Sequence, residues 1–276
     1  MKTAPQKDET IGIIAASGEM PLEVAETLIS QGKDVFIIAL KGIATADFSA
    51  FEHTDLHIGK LGKIIDTFID AGCAQIVLVG KMTRPSFFDV KPDLRGAKIF
   101  TKVMSSSDDS ALKIIEDEFA KDDIHFRDIG TIMPKIYADH GQICGTPPQA
   151  EARDAIAIGI DILKAIGSFD MGQGCVVQGG RILALEGAEG TDSMLKRSSD
   201  LILEGGSDAV FIKMLKTDQD PALDPPGFGA DTVINAANAG IRHIALQAGG
   251  VIMINKEKTI AEAEARKISI LGFTLE

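Results

Sequence analysis

The sequence predicts an α/β protein of two domains, a Rossmann-like N-terminal domain and a C-terminal α/β domain. Short apolar runs alternate with amphipathic segments of helical period, which is the pattern of parallel sheets covered by helices. A length of 276 residues is long for one α/β unit and comfortable for two. Between Ile129 and Pro148 the alternation gives way to glycine and proline, as in a segment that joins two domains.

The domain limits follow from that segment. We expect residues 1–133 to form the first domain, 134–148 a linker, and 149–276 the second, catalytic domain. Ligands of open α/β sheets bind outside the carboxyl ends of the strands, and frequently between domains. We therefore expect the active site to lie in the cleft between the two domains.

The first domain opens with a strand, a helix and a second strand, the unit typical of Rossmann-like folds. Strands are predicted at 11–16, 34–40 and 75–80, and helices at 21–31, 61–71 and 108–119. The first turn lacks a G-x-G-x-x-G motif, so no dinucleotide cofactor is expected. Ser17 and Gly18 in that turn are candidate contacts for a single phosphate or a uridine-like group. A tight turn without a ligand explains the two residues equally well.

Basic side chains follow the strand predicted at 75–80. Lys81 and Arg84, beside the hydroxyl of Thr83, have the chemistry to bind a phosphate, and a guanidinium suits bidentate contact. The alternative is a solvated loop. Because the chain carries a net charge of −12, any phosphate-bearing substrate has to be held by such local groups.

The second domain is predicted to alternate helices and strands up to its end. Its first helix, 149–166, has an apolar stripe in which Gly159 would permit close packing. Two strands, 175–177 and 181–185, are joined through Gly179-Gly180, a dipeptide typical of tight hairpins. The later elements are helices 193–203, 231–239 and 256–267 and strands 208–214, 241–248, 250–254 and 268–273.

Two acid-rich turns, 186–192 and 213–229, each follow a predicted strand of this domain. In the second turn Asp220 and Asp224 are flanked by prolines, which prevent a helix and stiffen the loop. With a facing Glu186 or Glu189, these aspartates could supply the oxygen ligands that Mg²⁺ prefers. Asx turns and helix caps are the structural alternative for such acids.

Lysines stand next to these acids. Lys213 and Lys216 could stabilise charge on a phosphoryl group in transfer. A combination of carboxylates and ammonium groups suits a site that holds both a cation and a phosphate, which few purely structural loops require.

The composition excludes several classes of function. A total of 28 Lys and Arg against 40 Asp and Glu disfavours binding to nucleic acid. Three widely spaced cysteines and five scattered histidines form no zinc motif. Apolar runs stay short of the roughly 18 residues of a membrane span, and the N-terminus lacks a signal-peptide pattern. We expect a cytoplasmic protein that binds no nucleic acid.

Several short motifs, none of them specific alone, occur together in this chain. They are Gly80-Lys81-Met82-Thr83-Arg84-Pro85, Asp108-Asp109, Gly172-Gln173, Val176-Val177-Gln178, Glu189-Gly190-Thr191-Asp192, Lys213, Lys216, Gln219-Asp220 and Asp224-Pro225-Pro226. Through this combination the chain resembles the LpxI-type UDP-2,3-diacylglucosamine pyrophosphatases of lipid A biosynthesis, over nearly its whole length.

The resemblance implies magnesium-dependent hydrolysis of the pyrophosphate of UDP-2,3-diacylglucosamine to 2,3-diacylglucosamine 1-phosphate and UMP. The family has an aspartate needed for activity, and Asp224, with Asp220 nearby, matches it best. We expect Asp224, Asp220 and Lys213 to be catalytic, and Asp220, Asp224 and Glu189 to bind Mg²⁺. The expected substrate contacts are Ser17, Gly18, Lys81, Thr83, Arg84, Gln178, Thr191 and Lys216. A homodimer and peripheral contact with the inner membrane are further expectations.

The chain also departs from the family pattern. Gln247 stands where the family has a glutamate, Thr217-Asp218 where it has Pro-Gly, and Gly227 where it has a threonine. These substitutions put the role of the missing glutamate in question.

This function has three alternatives. A non-catalytic protein that binds a nucleotide-sugar or a lipid phosphate could use the same two domains, and release of UMP would separate the two. A dehydrogenase is disfavoured by the missing glycine motif. The two-metal phosphoesterase that catalyses the same step needs Gly-Asn-His-Glu and Gly-His-x-His motifs, and neither occurs.

Overall fold

The computed structural model describes residues 10–82, 90–106, 108–169, 171–217 and 219–275. The chain divides into two units. The first comprises Met1–Pro134 with Ala222–Asp224, and the second comprises Lys135–Pro221 with Pro225–Glu276. Each unit has its own sheet with helices between the strands, so the predicted fold class, two α/β domains, is confirmed.

The first unit is built on a parallel sheet with the strand order β3-β2-β1-β4-β5. The strands are β1 (Thr10–Ala15), β2 (Asp34–Leu40), β3 (His53–Leu56), β4 (Gln75–Val79) and β5 (His125–Phe126). The helices are α1 (Met20–Ser30), α2 (Leu61–Asp70), α3 (Leu94–Met104) and α4 (Asp108–Ala120), with short 3₁₀ turns at Ile129–Thr131 and Pro134–Ile136.

Strand β1 is the centre of this sheet. All six of its residues are buried, as expected for a strand covered on both faces. After β1 the chain moves to β2 and β3 on one side and returns to β4 on the other side. The order of the strands therefore reverses between β1 and β4, and the carboxyl end of such a pair is the usual ligand position in doubly wound sheets.

The second unit is built on a mixed sheet with the strand order β6-β13-β11-β9-β7-β8. Its strands are β6 (Gly141–Cys144), β7 (Gly174–Gln178), β8 (Arg181–Leu185), β9 (Val210–Lys213), β11 (His243–Gln247) and β13 (Ser269–Phe273). The helices are α5 (Ala150–Gly167), α6 (Gly190–Ser198), α7 (Ala230–Asn238) and α8 (Lys256–Ala265), with a 3₁₀ turn at Ser199–Leu201. Strands β9, β11 and β13 are parallel, and β6 and β7 run against their neighbours.

Several predicted details of this unit are confirmed. The hairpin of β7 and β8 turns through Gly179 and Gly180, whose φ angles of 53° and 77° suit glycine. A Cβ on Gly159 of α5 would lie 2.6 Å from Cδ1 of Ile212, so close packing against β9 does require glycine there.

One predicted strand is placed differently. Residues 250–254 were expected to continue the main sheet, but β12 (Ile252–Met253) pairs with β10 (Gly227–Phe228) in a separate small sheet. The turn at Gly249, with φ of 69°, redirects the chain after β11. The backbone amide of Ile252 then donates to the carbonyl of Pro226 at 2.8 Å.

The three cysteines are buried and carry free thiols. Burial raises the pKa of both Cys73 and Cys175 to about 12, so neither thiol is a nucleophile at neutral pH. None of the helices in the described ranges has the length and apolarity needed to cross a membrane.

Candidate active site

Polar side chains of the second unit meet at one edge of its sheet, where β9 and β11 end. Lys213 is the last residue of β9 and pairs with Leu246 of β11. Strand β7 runs in the opposite direction, so its first residue, Gly174, lies beside Lys213. Strand β8 runs back again and delivers Glu186 to the same edge. The topology thus gathers Gly174, Glu186 and Lys213, which are spread over 39 positions of the sequence, from 174 to 213.

Lys213, Thr191 and Glu186 form a connected group at this edge. The ammonium Nζ of Lys213 donates to Oγ1 of Thr191 at 2.7 Å. The same Oγ1 is 2.8 Å from Oε1 of Glu186, and Nζ of Lys213 lies 3.6 Å from Oε2 of Glu186. Both charged side chains are buried, at 4% and 10% exposure respectively. The expected site residues Lys213 and Thr191 are therefore brought together.

The position of Glu186 is fixed by the backbone around it. Its amide donates to the carbonyl of Gly174 at 2.8 Å, and its carbonyl accepts from the amide of Gly172 at 3.2 Å. A Cβ on Gly172 would lie 2.4 Å from that carbonyl oxygen, and one on Gly174 would lie 2.9 Å from Oε2 of Glu186. Glycine at 172 leaves room for the backbone and Cβ of Glu186, and glycine at 174 leaves room for its carboxylate.

The loop after β9 is anchored by a buried amide. Oε1 of Gln219 accepts from Nε2 of Gln173 at 2.8 Å and from the backbone amide of Lys216 at 3.1 Å. Asp220 follows Gln219 directly, and both Asp220 and Asp224 are exposed. These hydrogen bonds therefore hold the loop that carries the two aspartates in place where it begins, after β9.

Gln247, one of the expected departures from the family pattern, has a defined contact. Its Oε1 accepts from the backbone amide of Leu215 at 2.9 Å, just after Lys213 in the chain. A carboxylate oxygen would accept the same hydrogen bond. Gln247 therefore holds the backbone at Leu215, as a glutamate at this position could also do.

We expect Gln247→Glu to keep kcat within about threefold of the unchanged protein, because the acceptor for Leu215 is retained. Gln247→Leu removes the acceptor and should lower both the melting temperature and kcat/KM, since the half-buried amide of Leu215 is left unsatisfied. Thermal unfolding and steady-state rates of the two variants measure this. Equal melting temperatures and equal kcat/KM of the two variants would show that the hydrogen bond to Leu215 contributes to neither stability nor activity.

The carboxylate of Glu189 contacts Arg197. Nε and one terminal nitrogen of Arg197 donate to its Oε1 at 3.0 and 2.8 Å. Its own backbone amide and the Arg197 guanidinium hold the pKa of the Glu189 carboxyl below its usual range. The carboxylate is thus charged at neutral pH and tied to the last turn of α6.

Gln178 is not brought to this edge. It is the last residue of β7, whereas the site is at the first residue of that strand. Its Nε2 donates to the carbonyls of Leu203 and Ser207 at 3.1 and 2.8 Å, and its Oε1 accepts from the amide of Leu203 at 2.9 Å. The amide therefore holds the segment after α6 in place.

In the first unit, Ser17, Gly18 and Lys81 are brought together where the strand order reverses. Ser17 and Lys81 exchange backbone hydrogen bonds of 2.8 and 3.2 Å beyond the ends of β1 and β4. The amide of Gly18 donates to Oγ1 of Thr45 at 3.0 Å, and the hydroxyls of Ser17 and Thr45 are 3.4 Å apart. The predicted contacts Thr83 and Arg84 lie outside the described residues.

Gly80 explains part of this arrangement. Its φ angle is 109°, and a Cβ there would lie 2.7 Å from the carbonyl oxygen of Ser17. A side chain at position 80 would separate the two segments, so the approach of Lys81 to the first turn depends on this glycine.

Within the described ranges, no three His, Cys, Asp or Glu side chains converge as metal ligands. The carboxylate that the sheet edge does hold, Glu186, has an ammonium group 3.6 Å away. The magnesium ligands therefore stay a prediction.

Sequence reasoning assigned no role to several of these residues. Gln173 and Gln219 occur in motifs that carry the resemblance, and Thr45 occurs in none of them. Their roles come from tertiary hydrogen bonds. Glu186 was one of two acids considered as a facing ligand. The sequence signal that could have identified Glu186 was its position directly after a predicted strand. That strand ends at the same edge of the sheet as β9.

Comparison with known proteins covers both units. The family model of the LpxI N-terminal domain matches residues 10–136, and that of the LpxI C-terminal domain matches residues 139–271. The UDP-2,3-diacylglucosamine pyrophosphatase LpxI of Caulobacter vibrioides is 31% identical over 270 residues, which are 95% of this chain and 96% of that relative. The resemblance drawn from the sequence motifs is confirmed, and the chain belongs to the LpxI family.

Proposed function

We propose that this protein hydrolyses the pyrophosphate of UDP-2,3-diacylglucosamine, giving 2,3-diacylglucosamine 1-phosphate and UMP in lipid A biosynthesis. Membership of the LpxI family supports this substrate. The structural observation that carries the proposal is the buried ammonium of Lys213 at the carboxyl edge of β9. Such a fixed cation is suited to a phosphoryl group.

Pyrophosphate hydrolysis increases the negative charge on the oxygen that leaves phosphorus. An ammonium group held away from water stabilises that charge more strongly than one in solvent, because the local dielectric constant is low. Lys213 is buried and held by Thr191, so little reorganisation is needed when the charge develops. Lys213 is thus assigned the stabilisation of the leaving oxygen.

The exposed aspartates Asp224 and Asp220 take the other catalytic role. They follow the anchored Gln219 on a proline-stiffened loop, which limits the directions in which their carboxylates move. A carboxylate is the ordinary group for orienting or deprotonating an attacking water. Asp224, which matches the family position, is assigned this role first.

Magnesium is part of the proposal as well. Mg²⁺ takes one or two protein carboxylates and completes its shell with water and phosphate oxygens, so the donor chemistry of Asp220 and Asp224 fits it. Glu189 would have to exchange its contact with Arg197 for the metal. When bound, the ion would neutralise charge on the pyrophosphate oxygens.

In the first unit, Ser17, Gly18 and Lys81 are proposed to contact the nucleotide or its phosphate. The carboxyl ends of β1 and β4 are where doubly wound sheets bind ligands, and the chain supplies a cation and hydroxyls there. Thr83 and Arg84, next along the chain, are proposed to join them, and Lys216 and Thr191 to contact the substrate from the second unit.

A homodimer and peripheral contact with the inner membrane complete the proposal. Phe169 and Met171, exposed by 76% and 43%, stand just before Gly172 at the sheet edge of the second unit. Exposed apolar side chains beside the site of a lipid substrate are consistent with a position near the membrane surface.

One incubation tests the substrate, the reaction and the metal together. We expect the purified protein to release UMP from UDP-2,3-diacylglucosamine in the presence of Mg²⁺, and a chelator to lower the rate at least about 10²-fold. Restoring excess Mg²⁺ should restore the rate. Full activity with the chelator would contradict the metal proposal.

Tight binding of the substrate without release of UMP would instead support the second candidate function, a non-catalytic nucleotide-sugar or lipid-phosphate binding protein. A matched incubation with UDP-glucosamine that lacks acyl chains measures how far recognition depends on the lipid.

A further inference from the structure

We infer that Glu186 is a positioning residue of this site, which balances the charge of Lys213 and fixes the direction of its ammonium group, in part through the hydroxyl of Thr191. The inference deepens the proposed function and rests on it. Its basis is the geometry of three side chains that come from three different segments of the second unit: the end of β8, the start of α6 and the end of β9.

The first argument is burial. The side chains of Lys213 and Glu186 are exposed by only 4% and 10%. An isolated buried ammonium is strongly disfavoured, because it loses the hydration that stabilises its charge. Glu186 supplies the compensating negative charge, with its Oε2 3.6 Å from Nζ of Lys213. Among the described residues, Glu186 is the acidic partner of Lys213.

The second argument is the direction of the hydrogen bonds. A threonine hydroxyl has one proton and two lone pairs. Lys213 can only donate, so Oγ1 of Thr191 accepts that bond. The hydroxyl proton is then free to be donated to Oε1 of Glu186, 2.8 Å away. The carboxylate thereby fixes the rotamer of Thr191, and Thr191 in turn fixes the ammonium.

The third argument is that this arrangement does not use all the N–H groups of Lys213. At 3.6 Å, Glu186 lies beyond ordinary hydrogen-bond distance from Lys213. Its Oε2 is buried and has no hydrogen-bond partner among the described residues. The carboxylate therefore balances the charge of Lys213 without occupying its remaining N–H groups. Within the described part of the chain these N–H groups are available to donate to phosphate oxygens.

The frame around the three side chains is rigid. Glu186 is tied to Gly172 and Gly174 through its backbone, and Lys213 is a sheet residue between β7 and β11. Rigid placement is what electrostatic stabilisation of a transition state requires. A residue in this role should affect kcat more than KM.

The test is a double-mutant cycle with Glu186→Gln, Lys213→Met and the double variant. Glutamine keeps the shape of the side chain and an acceptor for Thr191 but removes the charge. We expect Glu186→Gln to lower kcat about 10- to 100-fold with KM changed by less than about threefold. Because Glu186 acts through Lys213, the double variant should match Lys213→Met within about threefold.

Thermal unfolding of the same four proteins gives a second readout. Each single change leaves one buried charge without its partner, so both melting temperatures should fall. The double variant removes both charges and should melt no lower than Lys213→Met. Glu262→Gln breaks a half-buried ion pair between Glu262 of α8 and Arg266, which follows that helix. It is the matched control, and its kcat should be unchanged.

Three results would overturn the inference. They are a kcat of Glu186→Gln within threefold of the unchanged protein, losses that multiply in the double variant, and a double variant that melts well below both singles. If the unchanged protein releases no UMP, the proposed function fails, and the unfolding cycle still decides whether the two residues are coupled.

A second pair of variants covers the case in which Glu186→Gln does not fold. Thr191→Val removes the hydroxyl at nearly constant volume, and Thr191→Ser keeps it. We expect valine to lower kcat about tenfold and serine to stay within about threefold of the unchanged protein. Equal activity of the two would overturn the role of the hydroxyl between Glu186 and Lys213.

Discussion

Asp224→Ala is expected to lower kcat by about two to four orders of magnitude while the protein stays folded. A carboxylate that orients water or holds a metal acts mainly in the transition state, so its loss should change kcat far more than substrate affinity. The aspartate is exposed on a proline-stiffened loop, and changes of exposed side chains have little effect on stability. Steady-state kinetics with UDP-2,3-diacylglucosamine and thermal unfolding measure both quantities.

The matched control is Asp161→Ala, which removes an exposed carboxylate from α5. It should leave kcat unchanged. If Asp224→Ala is folded and turns over within about threefold of the unchanged protein, Asp224 is a turn residue only. The catalytic assignment would then pass to Asp220 or Glu189, and the same comparison made with Asp220→Ala would decide between them.

Much of the fold could be predicted because its strands are continuous apolar runs. Strands β1, β2 and β4 and helices α2 and α5 carry clear periodicity and lie within a few residues of the predicted limits. Strand β3, with the sequence HTDL, was missed because it has little periodicity of its own and is an edge strand held by pairing with β2. Helix α3, which is amphipathic and capped by Asp93, was also not predicted.

Part of the candidate site was predictable for a related reason. Lys213 stands at the end of an apolar run, and strand ends of α/β sheets are where ligands bind, so a charged residue there carries a signal. The partner of Lys213 was not predictable, because Glu189 and Glu186 lie three positions apart in the same acidic turn. Their contacts differ because α6 presents Arg197 to Glu189, while the glycines at 172 and 174 make room for Glu186.

The assignment of Gln178 shows the limit of motif reasoning. The residue belongs to one of the motifs from which the resemblance was drawn, and a polar side chain in such a motif suggests a ligand contact. Strand β7 runs antiparallel to β9, so its last residue is at the edge opposite the one that holds Lys213. The direction of a strand within the sheet, which the sequence pattern leaves open, decides which of its ends belongs to the site.

Lys213→Met should lower kcat by about 10²–10³-fold, the second large effect expected here. Methionine keeps most of the length and apolar contact of the lysine stem but has no charge. It also leaves Glu186 buried beside an apolar group, so the melting temperature should fall. Rates therefore have to be measured at a temperature at which the variant is fully folded, as judged by its own unfolding curve.

The control for Lys213→Met is Lys258→Met, which removes an exposed ammonium from α8 and should leave kcat unchanged. Lys213→Arg separates charge from geometry: a guanidinium keeps the positive charge, but its planar fork cannot reproduce the point contact with Thr191 at 2.7 Å. Partial activity of the arginine variant, between methionine and lysine, would indicate that charge and position both contribute. A folded Lys213→Met protein with kcat within threefold of the unchanged protein would remove Lys213 from the reaction, since a group that stabilises the leaving oxygen cannot be lost without slowing the chemical step.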